Sequence, residues 1–223
     1  MKKMIFASSL LGAFWFVTLH CASAQGLEVI KLPPPQTDGG KPLMQALKLR
    51  QSTRGDYGPD TKLPLQVVSN LLWAADGVNR PDGHRTAPSA MDWQNIDIYV
   101  TTPDGLFLYD APQHLLKVLG KEDIRAIAGQ QDFVKTAPLN LLYVADFNRA
   151  RGMKGKGDIM QTAEILSYAG VGTIAQNVYL FCASEGLACI LRAMIDKDAV
   201  TKTLKLKPTQ KVLLAQTVAH FKQ

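Results

Sequence analysis

The run from Ile159 to Ser184 constrains the fold of this 223-residue chain more than any other segment. It reads as one long apolar helix with Gly170 and Gly172 in its middle. Each glycine inside a helix costs about 1 kcal/mol relative to alanine. Such a pair belongs where another helix or a flat ligand approaches closely. Two further helices precede it, Pro42 to Arg50 and Pro64 to Ala75, each opening with proline. In the second, Leu65, Val68, Leu71 and Leu72 trace one face. Ile96 to Val100 alternates like a strand, and Leu106 to Tyr109 mirrors it across Pro103-Asp104-Gly105, a hairpin turn. His114–Leu119 and Glu122–Ala128 carry helical patterns, and Leu139 to Val144 reads as a buried strand. Leu187–Leu191 and Val212–Val218 complete the strands, although runs this short are also compatible with helix. The elements mix without a regular βαβ repeat, so the fold class is α+β.

The first residues carry a different signal. Lys2-Lys3, the apolar run Met4 to Leu19 and Ala22-Ser23-Ala24 read as a secretory signal cleaved after Ala24. The residues Thr18-Leu19-His20 before Cys21 fit a lipobox poorly. The expected location is the periplasm or the exterior. No later run approaches about 20 consecutive apolar residues, so no membrane span is expected after cleavage. Removing residues 1–24 leaves 199 residues and lowers the net charge from +6 to +4. With no Lys/Arg run, nucleic-acid binding is not expected. Residues 25–41, with three consecutive prolines and Gly39-Gly40, read as a flexible lead, and residues 42–223 as a single domain. Cys182 and Cys189 are seven residues apart in one apolar segment. On a single helix that is about 10 Å, too far for a disulfide.

Chemistry concentrates in Arg50-Gln51-Ser52-Thr53-Arg54. In an extended backbone Arg50, Ser52 and Arg54 share one face. Two guanidinium forks flanking a hydroxyl make a compact phosphate receptor. Taken alone the string is a weak signal, since most of its kind are solvated basic turns. From Gly77 to Trp93 the chain is irregular, and loops this long are functional or disordered. The histidines have no metal-ligand spacing to Cys or carboxylates, so no metal site is expected. Neither a P-loop nor a G-x-G-x-x-G is present. Gln176-Asn177, in a long apolar helix, are amides in need of partners. Arg149 to Lys156 reads as a solvated basic loop over the active site.

In order and spacing, three segments resemble the FMN-dependent nitroreductase family. They are residues 50–54, the stretch Arg85-Thr86-Ala87-Pro88-Ser89-Ala90-Met91-Asp92-Trp93-Gln94 leading into Ile96–Val100, and Gly170 to Asn177. Leu71 to Arg80 is similar to the branch related to SagB-type peptide-azoline dehydrogenases. The resemblance implies a mixed or antiparallel central sheet flanked by helices, with the long helix at a homodimer interface. It implies FMN as cofactor, its phosphate and ribityl chain held by Arg50 and Ser52, with Gln51 in the same binding loop and Arg54 near the N1/O2 edge of the ring. Pro88, Ser89 and Ala90 match the segment that reaches the partner protomer's flavin, followed by Gln94. Ala193 and Met194 fall where a backbone N–H faces flavin N5, without the usual Glu-Gly pair. Lys222 is the candidate for a basic residue completing the phosphate site. Asp92 stands where many members have asparagine, and is expected to point away or meet a cation. The implied function is electron transfer through flavin N5 to a nitro, quinone or similar small-molecule acceptor, with NAD(P)H or a quinol as donor. Two alternatives remain at this point, an azoline-oxidase-like flavin dehydrogenase and a non-catalytic flavin-binding module.

Overall fold

The computed structural model describes residues 27–55, 57–58, 61–152 and 159–222. The secretory signal lies outside the described residues. Seven antiparallel strands form one sheet, in the order β1-β4-β3-β2-β5-β7-β6. They are β1 (Val29–Lys31), β2 (Ile96–Thr102), β3 (Gly105–Asp110), β4 (Leu115–Gly120), β5 (Leu139–Asp146), β6 (Leu187–Arg192) and β7 (Gln210–His220). Four helices accompany them: α1 (Leu43–Leu49), α2 (Leu65–Asp76), α3 (Ile159–Glu185) and α4 (Lys197–Thr203).

The expected hairpin is present, with Tyr99 facing Leu108 and Thr102 facing Gly105. Helices α1 and α2 start behind Pro42 and Pro64, as their sequence predicts. On one face of the sheet, Ile96, Ile98 and Val100 of β2 and Leu139, Leu141 and Tyr143 of β5 meet Leu71 and Leu72 of α2 and Val171, Ile174 and Val178 of α3. Their alternate neighbours Tyr99, Leu142 and Val144 face a second core under α4 and two short 3-10 turns. In length and hydropathy α3 would suffice to cross a membrane. Its inner stripe from Ala163 to Cys182 lies in the protein interior, most of it against the sheet.

Four differences from the sequence reading have physical causes. His114–Leu119 is not helical: Leu115–Gly120 is the strand β4, paired with β3 on one side and with β1 on the other. Its apolar doublet fits either period, and strand partners on both sides decide for the sheet. Residues 122–128 form only a 3-10 turn over Arg125–Ile127. The Arg125 side chain there takes the Ala137 carbonyl and the Asp123 carboxylate, holding the turn to its surroundings. Helix α4 had no periodic signal, but Asp196 caps it by accepting from Ala199 N–H at 2.9 Å. Within the lead, β1 adds to the edge of the sheet, and Ser69 and His114 then hold the Pro33 carbonyl.

The two cysteines do not share a helix. Cys182 sits on α3 and Cys189 on β6, and the turn between them brings both thiols into one buried neighbourhood. Burial and the adjoining Cys189 thiol hold the Cys182 thiol well above its ordinary range, and both are free.

Candidate functional site

The Arg50–Arg54 segment begins where α1 stops. Arg50 N–H still donates to Ala46 O at 2.9 Å, but its backbone has turned extended, with ψ of 122°. The next residues run beside β6, tied there by Thr53 N–H to Cys189 O at 3.0 Å. Tyr57 locks the other side, donating to Thr53 O at 2.7 Å and setting its ring edge-on to Phe133. The segment is therefore held at three points although most of its side chains face solvent.

Arg50 and Ser52 meet a common partner, Tyr179 on α3. The Arg50 guanidinium lies 5.4 Å from the ring centroid, and Ser52 Oγ is 2.9 Å from the phenolic oxygen. Leu191 N–H, on β6, donates to that same oxygen at 2.8 Å. The shared face expected for Arg50 and Ser52 is thus present. Arg54 and Gln51 are exposed beside it. Among the described residues, neither Arg50 nor Arg54 has a carboxylate partner or a side-chain hydrogen bond. Gln51, Leu49 and Tyr179 also line a cavity of about 170 Å³ that reaches Cys182. A donor set without an acid, next to a cavity, fits a bound anion.

The second expected segment is more ordered than its composition suggested. Val78 pairs with Arg85, and Thr86 N–H returns to Gly77 O at 2.9 Å. Arg85 forms a nearly dry ion pair with Asp76. Burial pushes the Asp76 carboxyl up to about 6, against the pull of Arg85. The loop then passes through three left-handed non-glycine residues, Met91, Asp92 and Gln94, with φ of 48°, 53° and 46°. Such conformations cost of order 1 kcal/mol or more each and cluster at ligand sites. Ser89 Oγ holds the turn by accepting from Gln94 N–H at 2.8 Å. Asp92 accepts from the Gln94 amide at 3.0 Å and lies 3.7 Å from the His84 ring, so it does meet a potential cation. Pro88 is exposed, and its carbonyl is 3.5 Å from Thr173 Oγ1 on α3. The two expected segments thus contact α3 at separate points, Thr173 and Tyr179, with no direct hydrogen bond or ion pair between them among the described residues.

The remaining expected residues lie after β6, at the C-terminal end, on α3 and in the loop after β5. Ala193 and Met194 follow β6 and are exposed, Met194 by 58%. Lys222 is exposed and follows Phe221, which pairs with Tyr57, so it lies near the chain leaving the 50–54 segment. Gln176 is exposed rather than buried, so its amide has no need of an internal partner. Nothing within 4 Å would meet a Cβ at Gly172, and Gly170 has only ordinary contact with Ile96. Neither glycine is explained by a close approach within the chain. Arg149 is not a solvated loop residue: it pairs with Asp97 at 2.7 Å. Residues 153–156 of that loop lie outside the described residues.

Sequence reasoning missed Tyr179 and Asn95. A half-buried tyrosine in an apolar helix must place its hydroxyl, and that was the available signal. Asn95 is buried and donates to Ser167 Oγ at 2.8 Å, fixing the entry to β2 against α3.

Residues 47–220 match the family model described as the nitroreductase family. A solved structure from Ralstonia eutropha, described as a candidate nitroreductase, is 40% identical with a TM-score of 0.79, over 87% of this chain and 90% of that one. One chain of the Escherichia coli microcin synthetase McbBCD complex shares 15% identity with a TM-score of 0.65, over 100% and 79% of the two chains. A candidate nitroreductase from Desulfovibrio desulfuricans, solved with FMN, shares 20% with a TM-score of 0.57, over 83% and 89%.

Proposed function

Because the chain belongs to the nitroreductase family, an oxidoreductase family, we propose that it binds FMN and works as an exported homodimer passing electrons to a nitro, quinone or similar acceptor. One observation carries the cofactor reading: Arg50 and Ser52 are brought together at Tyr179, with no carboxylate among the described residues to neutralise the guanidinium. Bound there, FMN would supply reversible two-electron chemistry at its N5 position. The chain supplies the rest. Arg50 and Ser52 would hold the phosphate, with Gln51 beside them and Lys222 as a further cation. Arg54 would stabilise negative charge on the reduced ring. Ala193 and Met194 would border the reacting edge, without the Glu-Gly pair usual there.

A second copy would explain what one chain leaves open. Met44 is 76% exposed, Leu43 63%, Ile165 61% and Met160 57%, all on α1 and α3. Gly172 faces open space on the same helix. These features support a dimer through α1 and α3, which would also bring Pro88, Ser89, Ala90 and Gln94 of one protomer toward the flavin of its partner.

The signal-like N-terminus supports a place outside the cytoplasm, where nicotinamide donors are scarce. That favours a quinol donor. It also keeps in play a second reading, a flavin dehydrogenase passing electrons onward, which the Leu71–Arg80 resemblance supports. Stopped-flow reduction tests the nicotinamide-fed reductase against these readings. Bleaching of the FMN-loaded protein by NADH or NADPH identifies a reductase of the usual kind, and indifference to both identifies the dehydrogenase or a quinol-fed enzyme. Purified protein that shows no flavin absorbance band, even after FMN is added, overturns the cofactor reading altogether.

A further inference from the structure

The hydroxyl of Tyr179 is shared between two neighbours, and their chemistry fixes which way its proton points. Leu191 N–H is a backbone donor, so at 2.8 Å the phenolic oxygen accepts from it. The phenolic proton must then find an acceptor. Ser52 Oγ at 2.9 Å is the acceptor that the described residues offer. Ser52 accordingly accepts from Tyr179, and its own proton points to no other protein atom among the described residues. The result is a one-way chain, Leu191 N–H to Tyr179 O–H to Ser52 O–H, ending at the exposed serine. Hydrogen bonds aligned head to tail polarise one another, so the last donor is the stronger for the chain behind it. The same tyrosine also stacks beneath Arg50, 5.4 Å from its ring centroid, and this leaves the guanidinium edge free.

We propose that Tyr179 is the positioning residue of the anion site, presetting Ser52 as a donor and Arg50 as an open fork, so that the site selects an acceptor-only ligand group such as a phosphate monoester. The inference rests on the FMN reading above and goes further. It assigns to one helix residue the discrimination between FMN and riboflavin, which differ only in the phosphate. Tyr179 does not touch the ligand. It acts through Ser52 and Arg50. A tyrosine that merely packed α3 against β6 would affect both flavins alike.

The test is a fluorescence titration of the full chain with FMN and with riboflavin, for wild type, Tyr179→Phe, Ser52→Ala and the double variant. Tyr179→Phe keeps the ring under Arg50 but removes the proton given to Ser52. FMN affinity is expected to fall roughly tenfold, the size of one charge-assisted hydrogen bond, while riboflavin affinity stays unchanged. Ser52→Ala is expected to give a similar loss, and adding Tyr179→Phe to it no further loss, because both remove one chain. Equal FMN affinity in wild type and Tyr179→Phe, parallel losses for both flavins, or additive losses in the double variant would overturn the assignment. A wild type that binds neither flavin, or both equally, overturns the phosphate reading itself and the Tyr179 role with it. Should Tyr179→Phe fail to fold, the exposed Ser52→Ala carries the test: loss confined to FMN supports the chain of donors, and unchanged FMN affinity overturns it.

Discussion

Arg50 and Arg192 are both guanidinium groups without a carboxylate partner among the described residues, and they have opposite uses. Arg192 is 5% exposed, and its fork is filled: it donates to Thr217 Oγ1, Ala128 O and Asn140 Oδ1 through four contacts. Burial lowers its pKa to about 10. Gly129 makes room for it, since a Cβ there would sit 1.9 Å from Nη1. Arg50 is half-buried, rests on an aromatic face, and its guanidinium N–H groups meet no protein acceptor among the described residues. What separates a structural arginine from a receptor is therefore whether its donors are already spent. A fork filled by neutral oxygens staples a loop to a sheet, and an empty one is open to the anion proposed above.

The contrast breaks first at the buried end. Arg192→Met should cost about 3 kcal/mol of unfolding free energy, because Ala128 O loses its buried donor and Asn140 Oδ1 keeps only the Thr217 hydroxyl. Denaturant titration measures it, and flavin affinity in the folded fraction should be unchanged. Arg50→Ala should do the reverse: a loss of roughly 2–4 kcal/mol in FMN binding at nearly constant stability. A mutant that melts early but binds FMN normally would mean that Arg50 is another staple. Gly129→Ala should cost about 1–3 kcal/mol, since the Arg192 fork must leave its acceptors to admit the methyl. It sharpens the comparison by moving the fork without deleting it.

The smallest effect is a pH slope at a third arginine, Arg85, whose fork meets the buried Asp76. The folded chain raises Asp76 from 3.8 to about 6. Its contribution to stability is therefore complete below pH about 4 and is lost as pH rises through about 6. In that window wild type should lose stability relative to Asp76→Asn by up to about 1.4 kcal/mol per pH unit. Equilibrium unfolding at pH 4, 5, 6 and 7 reads the slope, and parallel curves would refute it.

Much of this architecture was legible because it is locally encoded. Pro42 and Pro64 open helices, alternation marks β2 and β3, and the length of α3 announces itself. What was illegible depends on partners distant in sequence. Leu115–Gly120 is a strand because β1 and β3 flank it, and β1 is ordered because β4 is there. In the candidate site the string Arg50-x-Ser52 was readable, and its third member was not. Tyr179 lies 127 residues from Ser52, and only packing of α3 beneath the motif joins them. The cysteines teach the same lesson in reverse, since separation along a presumed helix said nothing once a turn intervened. The loop at residues 91–94 carried no signal of strain, because left-handed φ at Met91 is unfavoured locally and is imposed by Ser89 and its surroundings.

The order of strands determines how long the newly made chain stays open. Strand β7 is the last of the seven to be synthesised, yet it lies between β5 and β6. Residues 146 and 210 must meet before the sheet closes. Until then β5 keeps a bare apolar edge and β6 has no strand partner at all. Pairings so far apart in sequence form slowly. A chain that stays open until its final strand emerges remains threadable, as the export proposed above would require.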